Sequence, residues 1–116
     1  MARPSKCRCI CSMPQVTEFL PKGVKGAEPV ILGLDAYEVI RLLDYRHCTQ
    51  EECAVRMNIS RTTVTRIYEE ARGKVAEALV TGRPLVIQGG DVMVCTAPRP
   101  ECAGEPYCCH RQGKEG

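Results

Sequence analysis

Between Leu34 and Gly82 the apolar residues recur in steps of three and four, the period of helices that turn one face inward. The first run, LGLDAYEVIRLLDY, carries Leu34, Tyr37, Val39, Ile40, Leu42 and Leu43, with Asp35 and Glu38 placed to favour the positive end of the helix dipole. It predicts a supporting helix. A second helix begins at Thr49, whose hydroxyl can accept from an orphan backbone N–H while Glu52 reaches back, the spacing of a capping box. Cys53, Ala54 and Met57 give it a narrow apolar face, and Ala54 is small enough for another helix to cross closely. Asn58 ends it, because asparagine tolerates left-handed backbone. Ile59 is an apolar plug and Ser60 a second N-cap, and a longer helix follows with Val64, Ile67, Tyr68, Ala71, Val75, Ala78 and Leu79 on one face. Gly73 is the weak point of that helix and the place where it can kink, since glycine costs roughly 1 kcal/mol against alanine in a helix interior.

Past Gly82, a helix stop, the pattern changes. Two short apolar runs, PLVIQ and DVMVC, flank Gly89-Gly90 and predict a hairpin with a Gly-Gly turn. The N-terminal segment holds Pro4, Pro14 and Pro21 and reads as extended; as a third strand it would bring the chain ends together. The expected fold is mainly α: a three-helix helix-turn-helix core with a long third helix, a small β element and a cysteine-rich tail. The expected divisions are an extended basic, cysteine-containing arm at 1–30, the helix-turn-helix domain at 31–82, a hairpin-like segment at 83–95 and the tail at 96–116.

The run from Thr49 to Ala71 has the offsets of a helix-turn-helix whose second helix enters the major groove, with Ala54, Asn58 and Val64 at its small, turn and apolar positions. That helix would show Arg61, Thr62, Thr63, Thr65, Arg66 and Glu69 on its outer side. Arginine can pair with a guanine edge through two hydrogen bonds, and threonine can meet a base, a phosphate or a thymine methyl. Double-stranded DNA is therefore the expected partner, through Arg61, Thr62, Thr63, Thr65 and Arg66, with Thr49, Gln50 and Ser60 at the two helix starts. The plainer alternative is a helical hairpin that serves only as an interaction surface.

The order of these elements resembles region four of bacterial sigma factors, and the matching string is Asn58-Ile59-Ser60-Arg61-Thr62-Thr63-Val64-Thr65-Arg66. More of the chain is similar to one family of small prokaryotic proteins predicted to bind DNA through such a module. The resemblance runs over residues 1–92, through MARPSKCRCICSMP, FLPKG, DAYEVIRLLD, QEECA, SRTTVTRI, ARGKVAEALVTGRPL and IQGGD. It departs from the family pattern at Cys7 and Cys9, where basic or bulky residues are usual, and at Gly73, where a lysine would sit. The resemblance implies DNA binding and supplies no target, ligand or reaction.

At 116 residues, with one Phe and no Trp, the chain has room for one small aliphatic core. Neither an apolar run of about 20 residues nor the apolar stretch of a signal peptide is present, so a cytoplasmic location without membrane contact is expected. Disulfides are then not expected as a resting state. The net charge of +2 is small but uneven. Residues 1–26 carry Arg3, Lys6, Arg8, Lys22 and Lys25 against Glu18, whereas residues 27–94 hold eight basic and ten acidic side chains. Arg3, Lys6 and Arg8 of the arm are thus the natural source of phosphate contacts, the alternative being a solvated terminus.

The nine cysteines fall into three groups. Cys48 and Cys53 sit where a core residue is wanted and read as small hydrophobes. Cys7, Cys9 and Cys11 lie near one end, and Cys95, Cys102, Cys108 and Cys109, with His110, near the other. Such thiols in a cytosolic chain suggest zinc or an iron–sulfur cluster. No CxxC occurs, so neither a standard zinc knuckle nor a thioredoxin-type pair is signalled. Alternate residues of a strand lie about 6.5–7 Å apart, while sulfurs on one zinc must approach to roughly 4 Å. Cys7, Cys9 and Cys11 therefore cannot all serve one metal in an extended arm. The expected ligands come from Cys9, Cys11, Cys95, Cys102, Cys108 and Cys109. The alternative is an unligated thiol tail, in which a Cys108–Cys109 bond between neighbours would be strained.

Two functions remain in view. One is a transcriptional regulator with a structural or sensory metal; the other is a protein-binding adaptor in metal-cofactor metabolism. An enzyme is not expected, because His47 and His110, the only histidines, sit in no acid–base or nucleophile constellation. A homodimer is a symmetry-based expectation for this kind of DNA reader.

Overall fold

The computed structural model describes residues 8–23, 26–90 and 92–94. In order these form strands β1 (Arg8–Ile10), β2 (Glu18–Phe19) and β3 (Val30–Leu32), helix α1 (Leu34–Ile40) continued by a π turn (Arg41–Tyr45), helices α2 (Gln50–Met57) and α3 (Arg61–Thr81), and strands β4 (Leu85–Ile87) and β5 (Val92–Val94). The result is a three-helix core with two small sheets.

Both predicted helix starts are built as their side chains dictate. Thr49 Oγ1 accepts from the Glu52 N–H at 3.0 Å while Glu52 Oε1 accepts from the Thr49 N–H at 2.9 Å, a complete capping box. Ser60 Oγ accepts from the Thr63 N–H at 3.1 Å and opens α3. Asn58, at φ 62°, takes the left-handed conformation that ends α2, and Gly82, at φ 72°, does the same for α3. Between those caps α3 runs 21 residues without interruption, so Gly73 does not break it. The supporting helix differs from its single-helix reading. After Ile40 the ladder widens, with the Arg46 N–H donating to the Arg41 carbonyl, and the chain leaves through His47 at φ 63°.

The core lies where the three helices meet the sheets, and Leu42, Cys53, Met57, Val64 and Ala71 are wholly buried in it. Cys53 is the small hydrophobe expected, with its sulfur 3.8 Å from Met57 Sδ. Burial pushes its thiol up to about 12. Cys48 packs against the same cluster from its edge.

The sheets correct the hairpin reading. β4 and β5 do not pair with each other. β4 is the centre of a three-stranded sheet, antiparallel to β2 and parallel to β3, while β5 pairs in parallel with β1. The reason lies at Gly89-Gly90. The Gly89 carbonyl accepts from the Leu34 N–H at 2.8 Å, and a Cβ on Gly90 would stand 3.1 Å from Asp35 Oδ1 and 3.3 Å from Leu34 N. The two glycines therefore let the backbone press against the start of α1, which sends the chain on beside β1 instead of back along β4. The N-terminal segment does meet the last strand, as expected, but in a separate two-stranded sheet with β5 and not as the third strand of a hairpin. Among the described residues no helix is long and apolar enough to cross a membrane.

Candidate nucleic-acid interface

α2 and α3 are joined by Asn58, Ile59 and Ser60, a turn closed by the Ile59 N–H donating to the Ala54 carbonyl at 3.0 Å. Small Ala54 lies buried at this junction, and Val64 plugs it from α3. A side-chain bond ties the start of α2 to the second turn of α3, with Thr65 Oγ1 donating to Gln50 Oε1. The angle between the helices is thus set by an apolar contact at the turn and a polar one near the start of α2.

These bonds divide the expected contact residues into two sets. Thr49, Ser60, Thr63 and Thr65 are engaged in the frame: Thr49 caps α2, Ser60 and Thr63 share a hydroxyl hydrogen bond of 2.8 Å, and Thr65 holds Gln50. Arg61, Thr62 and Arg66 stand exposed on the first two turns of α3. With Thr65 and Glu69 they line an open cleft, the spacing of positions 62, 65, 66 and 69 placing them on one side of the helix. Arg66 faces Glu70 at 3.9 Å, both side chains more than half exposed, a pair too solvated to fix either group. Deeper along α3, the Tyr68 hydroxyl donates to Asp44 Oδ1 at 2.8 Å, and that hydrogen bond raises its pKa. Arg72 stacks over the same ring, 5.3 Å from its centre. Tyr68 thereby pins α3 to the π turn.

The root of the basic arm is fixed by residues that the sequence pattern did not single out. Glu38 is 1% exposed, at the inward phase shared by Leu34 and Leu42. Its Oε2 accepts from the Cys11 N–H at 3.1 Å, and Arg41 forks onto both its oxygens at 3.0 Å. Arg56 of α2 donates to Cys11 Sγ at 3.4 Å. One buried carboxylate and two arginines therefore dock the arm on α1 and α2. The available signal was an acidic residue at an apolar helical phase with an arginine three positions on. Its reading as a favourable helix-start charge missed the inward phase.

Of the expected arm contacts, Arg8 opens β1, opposite Val92, and Arg3 and Lys6 lie outside the described residues. Of the expected metal ligands, Cys9 is buried in β1 and Cys11 is half-buried beside Arg56, whereas Cys95, Cys102, Cys108 and Cys109 lie outside the described residues. Among the described residues no three His, Cys, Asp or Glu side chains are grouped to hold a metal.

The model of one family, described as "Protein of unknown function DUF134", matches residues 1–95. The chain belongs to this family. A "UPF0251 protein" of Desulfitobacterium hafniense (strain DSM 10664 / DCB-2) is 46% identical over 99% of this chain and 97% of its own length. One of Thermoanaerobacter sp. (strain X514) is 47% identical over 97% of this chain and 99% of its own. A third, of Thermoanaerobacter pseudethanolicus, is 42% identical over 100% of this chain and 98% of its own. No solved structure matches. The DUF134 match ends at residue 95, one residue past β5.

Proposed function

We propose that this DUF134 protein is a DNA-binding regulator of transcription in which α2 and α3 act as a helix-turn-helix and the first turns of α3 enter the major groove. The observation that carries the proposal is the division of labour on this pair: the threonines and Ser60 build the frame, and Arg61, Thr62 and Arg66 are presented outward from it. An arginine fork on a guanine edge supplies sequence preference, and Thr62 supplies a base or phosphate contact. Gln50, whose carbonyl oxygen is taken by Thr65, keeps its amide nitrogen for a phosphate. The basic arm, docked through Cys11, adds the charge that the helical part lacks.

The cysteines are assigned a structural or sensory zinc or iron–sulfur site. What supports this is topology: β1 and β5 run parallel with Ile10 opposite Val94, and Cys11 and Cys95 each follow that pair by one position in the sequence. Anaerobic purification followed by metal analysis and a visible spectrum should find stoichiometric metal; thiols free to react and no metal would remove this part of the proposal.

For DNA, fluorescence anisotropy with a mixed-sequence duplex should show binding that falls linearly on a log–log plot against salt. Arg61→Ala or Arg66→Ala should each weaken binding by about 1–3 kcal/mol. A titration that stays flat at low salt would instead favour the adaptor reading, which the excess of ten acidic over eight basic side chains in residues 27–94 also supports.

A further inference from the structure

An apolar groove lies at the end of α3 remote from Arg61. Its walls are Val75 and Leu79 of α3 and Phe19 and Leu20 of the β2 segment, with Ala78 and Leu85 between them. Phe19 is 51% exposed, Leu20 68% and Leu79 78%, and Val80 beside them is 84% exposed. Isolated exposed apolar residues are ordinary, but a contiguous set on two elements is the mark of a contact surface.

Three observations bear on the occupant. The segments outside the described residues contain, besides Met1 and Val24, no Leu, Ile, Val, Met or Phe, so they offer no apolar face to fill the groove. The charged residue among those lining it, Arg83, is paired with Glu77 and also donates to the carbonyls of Glu28 and Pro29, so two copies of the groove can meet without like-charge repulsion. The three most exposed side chains lining it, Phe19, Leu20 and Leu79, present roughly 400 Å² if a fully exposed large side chain offers about 200 Å². Two copies would thus bury about 800 Å² through these three alone, and the half-buried Pro21, Gly82 and Leu85 around them bring the contact towards the roughly 1,000 Å² at which a specific interface begins.

From these we infer that the groove formed by Phe19, Leu20, Val75 and Leu79 is a homodimer interface, closed by the same groove of a second copy. A two-fold contact is self-complementary by construction and needs no patch elsewhere on the molecule. The dimer stands independently of the DNA reading, but it gives that reading a geometry. From Thr63 to Leu79 is roughly 24 Å along α3 at 1.5 Å per residue. An axis at the groove can hold two Arg61 ends as far as about twice that apart, a span that includes the roughly 34 Å between successive major-groove faces.

The test is sedimentation equilibrium of the full chain, without DNA and under reducing conditions so that tail thiols cannot crosslink copies. The wild type should sediment as a dimer, and the doubly substituted Leu20→Glu, Leu79→Glu chain as a monomer with an unchanged helical circular dichroism spectrum. Leu79→Glu alone, at an exposed helical position lining the groove, should weaken the dimer if the double variant loses helicity. Tyr45→Glu, at an exposed position away from the groove, should leave the dimer intact. A monomeric wild type, or a double variant that remains dimeric, overturns the inference. Because DNA is absent, its failure is separable from failure of the DNA reading: a monomer that still binds duplex sinks only the dimer, and a dimer that binds no duplex sinks only the regulator.

Discussion

Glu38 shows how much of this fold rests on single side chains. It is buried, it takes two hydrogen bonds from Arg41, and it holds the Cys11 N–H of the arm. Glu38→Ala removes one partner of a buried pair and should destabilise the protein by about 3 kcal/mol, read from the urea midpoint at unchanged slope. Because the same substitution releases the arm, it should also speed proteolytic cleavage near Cys11. Stability without loss, or loss without arm release, would mean that the carboxylate is not the anchor. Cys53 gives a prediction in pH. Its thiol is held neutral by burial, with a folded pKa of about 12 against an ordinary 9.0. The stability it contributes is complete below pH 9 and is lost as pH rises from there towards 12, since the unfolded thiol ionises first. Between those limits the urea-derived stability should fall by up to about 1.4 kcal/mol per pH unit from this group. Tyr68, raised in the same direction through Asp44, adds to the fall, so Cys53→Ala should reduce the slope without abolishing it.

At the scale of elements, the capped helices were legible and the sheets were not. Thr49 with Glu52, Asn58 and Ser60 are local signals, each satisfied within three or four residues, and each stands in the structure where its chemistry places it. Thr49→Ala should therefore cost about 1 kcal/mol. Gly73 offers the converse: it sits exposed within an unbroken α3, with nothing within 4 Å of an added Cβ, so Gly73→Ala should raise stability by about 1 kcal/mol and the melting temperature with it. Calorimetry checks both substitutions, and a loss on Gly73→Ala would mean that α3 needs freedom there. The pairing of β5 with β1, by contrast, depends on residues more than 80 positions apart in the chain. The extended arm suggested that the chain ends meet, but no local pattern encodes the partner or its register, and the Gly89-Gly90 pair, which reads as a turn, instead serves the close approach to Leu34 and Asp35. The π turn was hidden for a similar reason, because Arg41 to Tyr45 keeps the apolar spacing of an ordinary helix.

For the whole molecule the pattern of charge and the pattern of contacts point to the same organisation. The helical part supplies a pair, α2 and α3, with Arg61, Thr62 and Arg66 outward, and the root of the arm at Cys11 is fastened to α1 through Glu38 and to α2 through Arg56. The candidate contacts on α3 were legible because they lie within two turns of one helix; the fastening was not, because Glu38 and Cys11 are 27 residues apart. If this organisation serves DNA, grip and reading are separate functions of separate residues. Lys6→Ala or Arg3→Ala should then weaken binding to all duplexes and reduce the salt slope by about 1 each, leaving sequence preference unchanged. The most direct test is selection from a random duplex pool by the full chain. Enrichment of one sequence, lost in the Arg61→Ala, Arg66→Ala double variant while its thermal melt is unchanged, is the predicted result; a pool that stays random at low salt, or enrichment that survives both substitutions, would contradict it.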